Sequence, residues 1–208
     1  MKAPSDLVVY DCEQGGEDWF AARRGRVTSS EFQKLMVQNG AKKGRMTLLR
    51  TLAGERVCGA SAESYVNEYL KRGKKLEPEA LDWYARTRFA DLTPTGFVYD
   101  PALDAGWSPD ALIGDDGALE IKTMAPHLLI PVLEQGEVPT EFIAQCQGGA
   151  LWVGRRKWVD LVIFFPGMPK FVRRIVPAGD YIAALATEVA AFNRDLYALV
   201  DKVKAFER

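Results

Sequence analysis

One segment, residues 108–123, constrains the fold more than any other part of the chain, because it predicts a β-hairpin that carries several charged side chains. Asp116-Gly117 is a strong tight-turn signal, and the short apolar runs on both sides of it suit strands. Whichever turn register forms, the chain folds back so that Asp110 reaches nearly the level of Glu120. The segment therefore predicts two carboxylates at one place in a sheet.

The side chains of this predicted hairpin suit the hydrolysis of phosphodiesters. Glu120 and Lys122 share a face, because successive side chains of a strand alternate. The carboxylate oxygens of Asp110 and Glu120, with the carbonyl oxygen of Ile121, are ligands that Mg²⁺ and Mn²⁺ prefer. Lys122 would then position a water molecule and help to activate it, or neutralise charge in the transition state. The alternative is structural, since Glu-x-Lys also forms simple charge pairs on solvent-facing strands.

Composition restricts the class of protein. The chain has 208 residues, 48% of them hydrophobic and 26% charged, and no linker interrupts it, so we expect one domain over residues 1–208. No apolar run approaches the length that spans a bilayer, the N-terminus lacks an apolar signal core, and Cys12, Cys58 and Cys146 are scattered. We therefore expect a cytoplasmic protein with no membrane partner.

The only histidine is His127. A single histidine argues against a zinc cluster, and it allows a Ser-His-Asp triad only if His127 is the catalytic histidine.

The charge of the chain, −1 at pH 7 with a pI near 6.0, is not typical of a nucleic-acid-binding protein. The basic residues are nevertheless clustered. The clusters are Arg23-Arg24-Gly25-Arg26, Lys42-Lys43-Gly44-Arg45, Lys71-Arg72-Gly73-Lys74-Lys75 and Arg155-Arg156-Lys157. Each cluster by itself is most simply a solvated loop, whereas all of them together could line one groove.

Periodicity and turn signals predict a mixed α/β chain. Helices are expected over residues 18–22, 28–37, 46–58, 63–70, 77–86, 140–153 and about 180–206. Strands are expected over residues 97–99, in the hairpin, and over residues 159–165 and 171–176, in one sheet of about five strands. Thr28-Ser-Ser-Glu31 has the spacing of a capping box. The long last helix has a three-four apolar spacing, which favours packing within its own domain and leaves a subunit contact as the alternative.

Five ordered blocks distinguish the chain. They are Glu13-Gln14-Gly15 with Trp19, Arg23-x-Gly25-x-Val27-Thr28-x-Ser30-Glu31, Gly73-Lys-Lys-Leu-Glu77, Ser108-Pro109-Asp110 with Leu119-Glu120-Ile121-Lys122, and Ala144-Gln145-Cys-Gln147 with Trp152-Val153. With these blocks the chain resembles the lambda exonuclease family, also called the YqaJ-like viral recombinases, a branch of the PD-(D/E)xK nucleases. The resemblance implies an α/β, restriction-endonuclease-like core with a mixed central β-sheet flanked by helices.

The resemblance also implies roles for single residues. Asp110 and Glu120 resemble the family's metal ligands, and Lys122 resembles the residue beside the attacking water. Glu77 resembles an additional acidic residue, on a helix beside the hairpin, that supports a metal directly or through water. The alternative for Glu77 is an exposed glutamate at a helix start, favoured by the helix dipole.

Two further groups of residues acquire roles in the same way. Gln147 resembles the family's active-site glutamine, with a buried, hydrogen-bonded amide as the alternative, while Gln145 is expected to be a buried amide. Arg23, Thr28 and Ser30 match the family's pocket for the 5'-terminal phosphate, and an arginine fork with hydroxyls at a helix start is suited to an anion. Capping is the alternative role of the two hydroxyl groups.

The resemblance implies an enzyme that digests linear double-stranded DNA from 5' to 3'. It would use two Mg²⁺ ions per active site, and Mn²⁺ could replace them. It would release mononucleotides and leave a 3' single-stranded tail for recombination by annealing. A homotrimeric ring around DNA ends, a single-strand annealing protein as partner and a phage or prophage origin are also implied. Met46 and Leu70 fall where the family separates the duplex end, with core packing as the alternative. Rival functions on this fold are a structure-specific or restriction-type endonuclease and a DNA-end-binding module without catalysis.

Overall fold

The computed structural model describes residues 6–36, 42–61 and 68–207. Within these ranges the α-helices are α1 (Glu17–Arg23), α2 (Gln33–Met36), α3 (Lys42–Cys58), α4 (Glu68–Arg88), α5 (Pro126–Gln135), α6 (Thr140–Gln145) and α7 (Gly179–Lys204). Short 3₁₀ turns lie at Ser29–Glu31 and Ala205–Glu207, and a π-helix at Cys146–Val153 continues α6 directly.

The strands form two mixed sheets. They are β1 (Val8–Tyr10), β2 (Val27–Thr28), β3 (Leu92–Thr93), β4 (Phe97–Asp100), β5 (Ala105–Trp107), β6 (Ala111–Ile113), β7 (Gly117–Thr123), β8 (Trp158–Phe164) and β9 (Phe171–Ile175). The first sheet has the order β1-β4-β5-β2 and the second the order β3-β6-β7-β8-β9. Each sheet contains a single parallel pair, β2 with β5 and β7 with β8. Side chains of both sheets, with those of α3 and α7, enter a common buried cluster that includes Trp107, Leu161 and Phe192.

The expected mixed sheet flanked by helices is confirmed, but the expectation of one sheet is wrong. The strand at residues 97–99 is β4, which pairs with β1 and β5 in the first sheet rather than with the hairpin. Strands β1, β2, β3 and β5 are absent from the sequence prediction because they are two or three residues long, too short for side-chain alternation to show. Helix α5 is absent as well, since it begins at Pro126 and contains Pro131, which read as helix breakers.

Two helix predictions also need correction. The region predicted as a helix over residues 28–37 starts as strand β2 and continues as a 3₁₀ turn and the short α2. Thr28 occupies the N-cap position of the 3₁₀ turn but makes no capping bond through its side chain, so the capping box does not form. The predicted helix over residues 63–70 lies mostly outside the described residues, and α4 runs from Glu68 through Pro78 without ending there.

The hairpin forms as predicted, with a different turn. Ala111 pairs with Leu119 and Ile113 with Gly117, so the connection is residues 114–116 and Gly117 is already in β7. Gly114 takes the left-handed backbone conformation, φ +56°, that such a turn needs. At Gly117 a side chain would collide with the ring of Trp158, its pairing partner on β8.

Helix α7 packs against other elements of the same chain, mainly α3. Its buried face consists of Leu185, Val189, Phe192, Asn193, Leu196 and Val200. The predicted three-four apolar spacing continues to Val203 and Phe206, whereas the buried face follows the 3.6-residue period of a straight helix. Val203 and Phe206 are therefore exposed. No helix within the described ranges is both long and apolar enough to cross a lipid bilayer.

Candidate active site

The hairpin brings Asp110, Glu120 and Lys122 together. Because Ala111 pairs with Leu119, one further step of the register places Asp110 opposite Glu120, and opposite residues of antiparallel strands face the same side. The Lys122 Nζ donates to Glu120 Oε1 at 2.7 Å. Asp110 Oδ2 accepts the backbone N–H of Ile121 at 2.5 Å. The convergence predicted from strand alternation is thus present in the fold.

The carbonyl of Ile121 faces the same edge of β7 as Asp110. In a strand the N–H and C=O of one residue point towards the same neighbour, and the N–H of Ile121 points at Asp110. Strand β6 begins only at Ala111, so it leaves the end of β7 beyond Leu119 unpaired on that side. The predicted backbone ligand therefore lies on the side of β7 that faces Asp110.

The charges of this cluster are poorly compensated by the protein alone. Burial, followed by the negative charge of Glu120, raises the pKa of Asp110 well above its usual value. Burial opposes the charge of Lys122, but Glu120 and Asp110 outweigh it and raise the pKa of this amine. Glu120 itself is only 3% exposed. One ammonium group thus serves two desolvated carboxylates.

This donor set fits a hard divalent cation. A cation between Asp110 and Glu120 would offset the repulsion that raises the pKa of Asp110, and carboxylate and carbonyl oxygens are the ligands that Mg²⁺ prefers. Among the described residues no group of three or more His, Cys, Asp or Glu side chains gathers in metal-binding geometry. The fit therefore rests on two carboxylates and the Ile121 carbonyl, with Glu77 nearby.

Glu77 lies on α4 beside the hairpin. It lines, with Asp110, a cavity of about 330 Å³, and its charge contributes to the raised pKa of Asp110. Tyr84, two turns further along α4, donates to Asp160 of β8 at 2.5 Å, and Arg174 donates to the same carboxylate at 2.7 and 2.9 Å. The buried Tyr84–Asp160 bond fastens α4 to the sheet, on the side from which Glu77 approaches. Its role as a ligand stays a prediction.

The structure places Gln145, and not Gln147, beside Glu120, so the predicted active-site role of Gln147 stays a prediction without a contact to the hairpin. Gln147 is 4% exposed and its amide joins two backbone groups near α7, donating to Val176 O at 3.0 Å and accepting from Ala178 N at 3.0 Å. Gln145, expected to be a buried amide, instead donates to Glu120 Oε1 at 2.5 Å. Residues two positions apart face opposite sides of a helix, and spacing alone does not indicate which side of α6 meets the hairpin.

Gln14 is a residue to which the sequence analysis assigns no role. Its Nε2 donates to Pro109 O at 2.6 Å and to Thr95 O at 2.9 Å, and the side chain lines the cavity that contains Asp110. The bond to Pro109 fixes the peptide immediately before Asp110. Its place in the first sequence block was the only available signal.

We call Asp110, Glu120, Lys122 and Gln145 the hairpin site.

A second polar group surrounds Arg23, at the end of α1. The guanidinium donates to Thr28 Oγ1 at 3.1 Å and to Ser108 Oγ at 3.1 Å, and Thr28 Oγ1 lies 3.2 Å from Ser30 Oγ. Trp19 packs against the guanidinium, with the ring centroid 4.2 Å from Cζ, and also donates to Ser108 at 2.9 Å. The three residues predicted for a phosphate pocket therefore meet, and Ser108 joins them. We call Arg23, Thr28, Ser30 and Ser108 the Arg23 pocket.

The Arg23 pocket holds a desolvated cation. Arg23 borders a cavity of about 290 Å³, and burial lowers the pKa of Arg23 to about 10, although Glu31 and Glu55 act in the opposite direction. An anion bound here would compensate the lost hydration of the guanidinium. Ser108 also lies two residues before Asp110, so a short extended stretch connects this pocket to the hairpin site.

The residues predicted to separate the duplex end remain predictions. Met46 lies on α3 and is 41% exposed, so its side chain is not part of the core. Leu70 belongs to α4, but its side chain lies outside the described part of the structure. His127 is exposed on α5, and among the described contacts it does not take part in the sites above.

The model of the YqaJ-like viral recombinase domain matches residues 18–156 of the chain. This chain belongs to the YqaJ-like viral recombinase family. The matched residues contain the whole Arg23 pocket and the whole hairpin site. No curated protein sequence matches the chain.

Solved structures support the same relationship. The alkaline exonuclease LHK-Exo from Laribacter hongkongensis has a TM-score of 0.83 and 30% identity, covering 92% of this chain and 98% of its own. LHK-Exo in complex with dAMP has a TM-score of 0.84 and 31% identity at the same coverage. A phage-related exonuclease from Haemophilus somnus 129PT has a TM-score of 0.62 and 16% identity, covering 86% of this chain and 96% of its own, and shares the fold. The restriction-endonuclease-like fold expected from the sequence is confirmed.

Proposed function

We propose that this chain is a Mg²⁺-dependent exonuclease that digests linear double-stranded DNA from 5' to 3', releases mononucleotides and leaves a 3' single-stranded tail. The observation that carries the proposal is the register of the hairpin, which sets Asp110 opposite Glu120 with Lys122 bonded to the latter. The family and its exonuclease neighbours support phosphodiester cleavage as the chemistry.

Each residue of the hairpin site has a separate role in the proposed reaction. Asp110, Glu120 and the Ile121 carbonyl would hold the cation, which when bound supplies Lewis-acid stabilisation of charge on the scissile phosphate. Lys122 carries a positive charge at the Glu120 carboxylate, where it can orient the attacking water and neutralise developing negative charge. Gln145 donates to the same carboxylate oxygen, so it fixes the rotamer of Glu120.

The Arg23 pocket would bind the 5'-terminal phosphate. Arg23 offers a fork of N–H donors that contacts the hydroxyl groups of Thr28 and Ser108, and the hydroxyl of Ser30 lies within hydrogen-bonding range of that of Thr28. Because Ser108 and Asp110 are separated by one residue, a bound terminus has a defined distance to the hairpin site. That arrangement would fix the register in which one nucleotide is removed per step.

Assembly and partners belong to the same proposal. A homotrimeric ring around the DNA would allow a chain with charge −1 to hold its substrate by enclosure, with a single-strand annealing protein receiving the 3' tail. We place this activity in the cytoplasm of a bacterial host, with a phage or prophage origin. Sedimentation of the purified protein should give three times the mass of the chain, and a monomer would contradict the ring.

The requirement for an end is tested with a linear duplex and a covalently closed circle of the same sequence. We expect Mg²⁺ to support digestion of the linear DNA only and EDTA to stop it. Cleavage of the closed circle would instead make the chain an endonuclease. End binding without nucleotide release in Mg²⁺ or Mn²⁺ would make it an inactive end-binding module.

A further inference from the structure

The turn that joins α1 to β2 is held from outside by α3. Gly25, in the middle of this turn, has φ +65°, a left-handed conformation that glycine adopts without strain. Its N–H donates to Glu55 Oε2 at 2.7 Å, and its carbonyl accepts from Arg56 Nε at 2.6 Å. Two consecutive side chains of one helix thus bind both polar groups of a single residue.

The fit around Gly25 is close. A Cβ atom at this position would lie 2.5 Å from Cγ of Arg56, so no larger residue is accommodated without displacing the arginine. The turn is flanked by Arg23 on one side and Thr28 on the other. Its conformation therefore sets the spacing between the guanidinium and the hydroxyl that it contacts at 3.1 Å.

Arg56 is itself fixed by a polar cluster between the sheet and α7. Its Nη2 donates to Asp104 Oδ2 at 2.9 Å, and the guanidinium packs over the ring of Tyr197 at 4.6 Å. The carboxylate of Asp104 also accepts the hydroxyl of Tyr99 at 2.7 Å and that of Tyr197 at 3.0 Å. The Arg56 and Asp104 side chains are 17% and 16% exposed, so the pair is shielded from screening.

We propose that Glu55 and Arg56 are positioning residues that shape the Arg23 pocket for a terminal phosphate, and that Asp104 supports Arg56 in this role. The inference rests on the proposed function of the pocket. Neither residue needs to touch the phosphate, because both act through the peptide groups of Gly25. Loss of this support would let the turn relax and would spread the donors that a phosphate must meet together.

The test compares digestion of a 5'-phosphorylated duplex with that of the same duplex ending in 5'-hydroxyl, measured as the ratio of kcat/KM. Glu55→Ala removes the acceptor for the Gly25 N–H, and we expect the ratio to fall about tenfold, as for the loss of one well-oriented hydrogen bond. Glu55→Gln keeps an acceptor oxygen at the same position, and we expect it to restore the ratio to within about twofold of the parent.

A second variant tests the same role through Arg56, and a matched control tests whether any change between α3 and α7 has the same effect. Arg56→Lys cannot donate to both Gly25 and Asp104, since an ammonium lacks the guanidinium fork, and we expect the ratio to fall about fivefold. Asp195→Ala removes another contact between α3 and α7, the ion pair with Arg45, without approaching Gly25, and should leave the ratio unchanged. The 5'-hydroxyl substrate corrects each variant for any inactive fraction.

The outcomes separate this inference from the function on which it rests. If Arg23→Ala abolishes the phosphate preference but Glu55→Ala and Arg56→Lys keep it, the positioning role is refuted and the pocket stands. A Glu55→Gln variant as impaired as Glu55→Ala would also refute it, because the charge of Glu55 rather than its hydrogen bond would then matter. If Arg23→Ala keeps the preference, the pocket itself is wrong.

Discussion

The hairpin site and the Arg23 pocket both bury charge, but with opposite sign. In the hairpin site two carboxylates face one amine, and burial with mutual repulsion raises the pKa of Asp110. In the Arg23 pocket a guanidinium loses hydration, and burial lowers its pKa to about 10. The buried charge is thus negative in the hairpin site and positive at Arg23, where Glu31 and Glu55 offset it in part. Under the proposed function, a divalent cation would compensate the first charge and a terminal phosphate the second.

The two sites also differ in how they are built. The hairpin site lies mainly on adjacent strands of the second sheet, so local pairing fixes its geometry. The Arg23 pocket combines α1, the turn after it, β2 and the loop after β5, and α3 supports it from outside. Changes in the hairpin should therefore act on chemistry, and changes around Arg23 on the recognition of the end.

The largest effect is expected from the hairpin. Glu120→Ala removes a ligand and Lys122→Ala removes the cation that orients water, so each should lower the rate of nucleotide release by a factor on the order of 10³. End binding, measured by fluorescence anisotropy in Ca²⁺ or EDTA, should stay within about threefold of the parent. If either variant digested DNA at the parental rate, the assignment of the active site to the hairpin would be wrong.

Arg23→Ala should change recognition rather than chemistry. We expect the preference for 5'-phosphorylated over 5'-hydroxyl ends to disappear, with a loss of about 10 to 100-fold in kcat/KM confined to the phosphorylated substrate. Equal losses on both substrates would mean that Arg23 has only a structural role, and the contrast between the two sites would fail.

The two glutamines offer a sharper test of where the hairpin site ends. Gln145→Ala should lower kcat about tenfold with little change in thermal stability, because it frees the Glu120 carboxylate. Gln147→Ala should mainly lower the melting temperature, since it leaves the Val176 carbonyl and the Ala178 N–H unpaired. Differential scanning fluorimetry with single-turnover kinetics separates the two, and the reverse pattern would restore the assignment made from the sequence.

The smallest effect concerns stability without metal. The pKa of Asp110 is raised in the folded state. The contribution of Asp110 to the free energy of unfolding is therefore most favourable below the unfolded-state pKa, and it is lost as the pH rises through the folded-state pKa. Asp110→Asn should therefore be more stable than the parent by about 1 kcal/mol at neutral pH in EDTA, and the difference should vanish below about pH 4. Urea unfolding at both pH values measures this. A less stable variant at neutral pH would show that the carboxylate is well compensated.

The sequence predicted what depends on short-range register and missed what depends on distant contacts. Strand alternation correctly joined Glu120 to Lys122, and the hairpin correctly returned Asp110 to them. Which of the two glutamines reaches Glu120 was not predicted, because the sequence does not indicate which side of α6 faces the hairpin. Gln14 and Glu55 bind backbone groups far away in sequence, at Pro109 and Gly25, and no local pattern predicts such bonds.

The division of the strands into two sheets escaped prediction for a related reason. Strands of two or three residues carry no readable alternation, and their partners lie far along the chain, as with Val27 beside Ala105. That pairing is nevertheless what brings Thr28 close to the Ser108 end of β5. Three residues of the Arg23 pocket could therefore be predicted as a set, but neither Ser108 nor the construction of the pocket could.

The most direct test of the account follows a linear duplex labelled at its 5' ends in one sample and at its 3' ends in another, incubated with Mg²⁺. We predict that the 5' label appears at once as mononucleotide, while the 3' label remains on long single strands until late in the reaction. Early release of the 3' label, or internal fragments from either sample, would contradict the assignment of the Arg23 pocket to the 5' terminus and of the hairpin site to its stepwise removal.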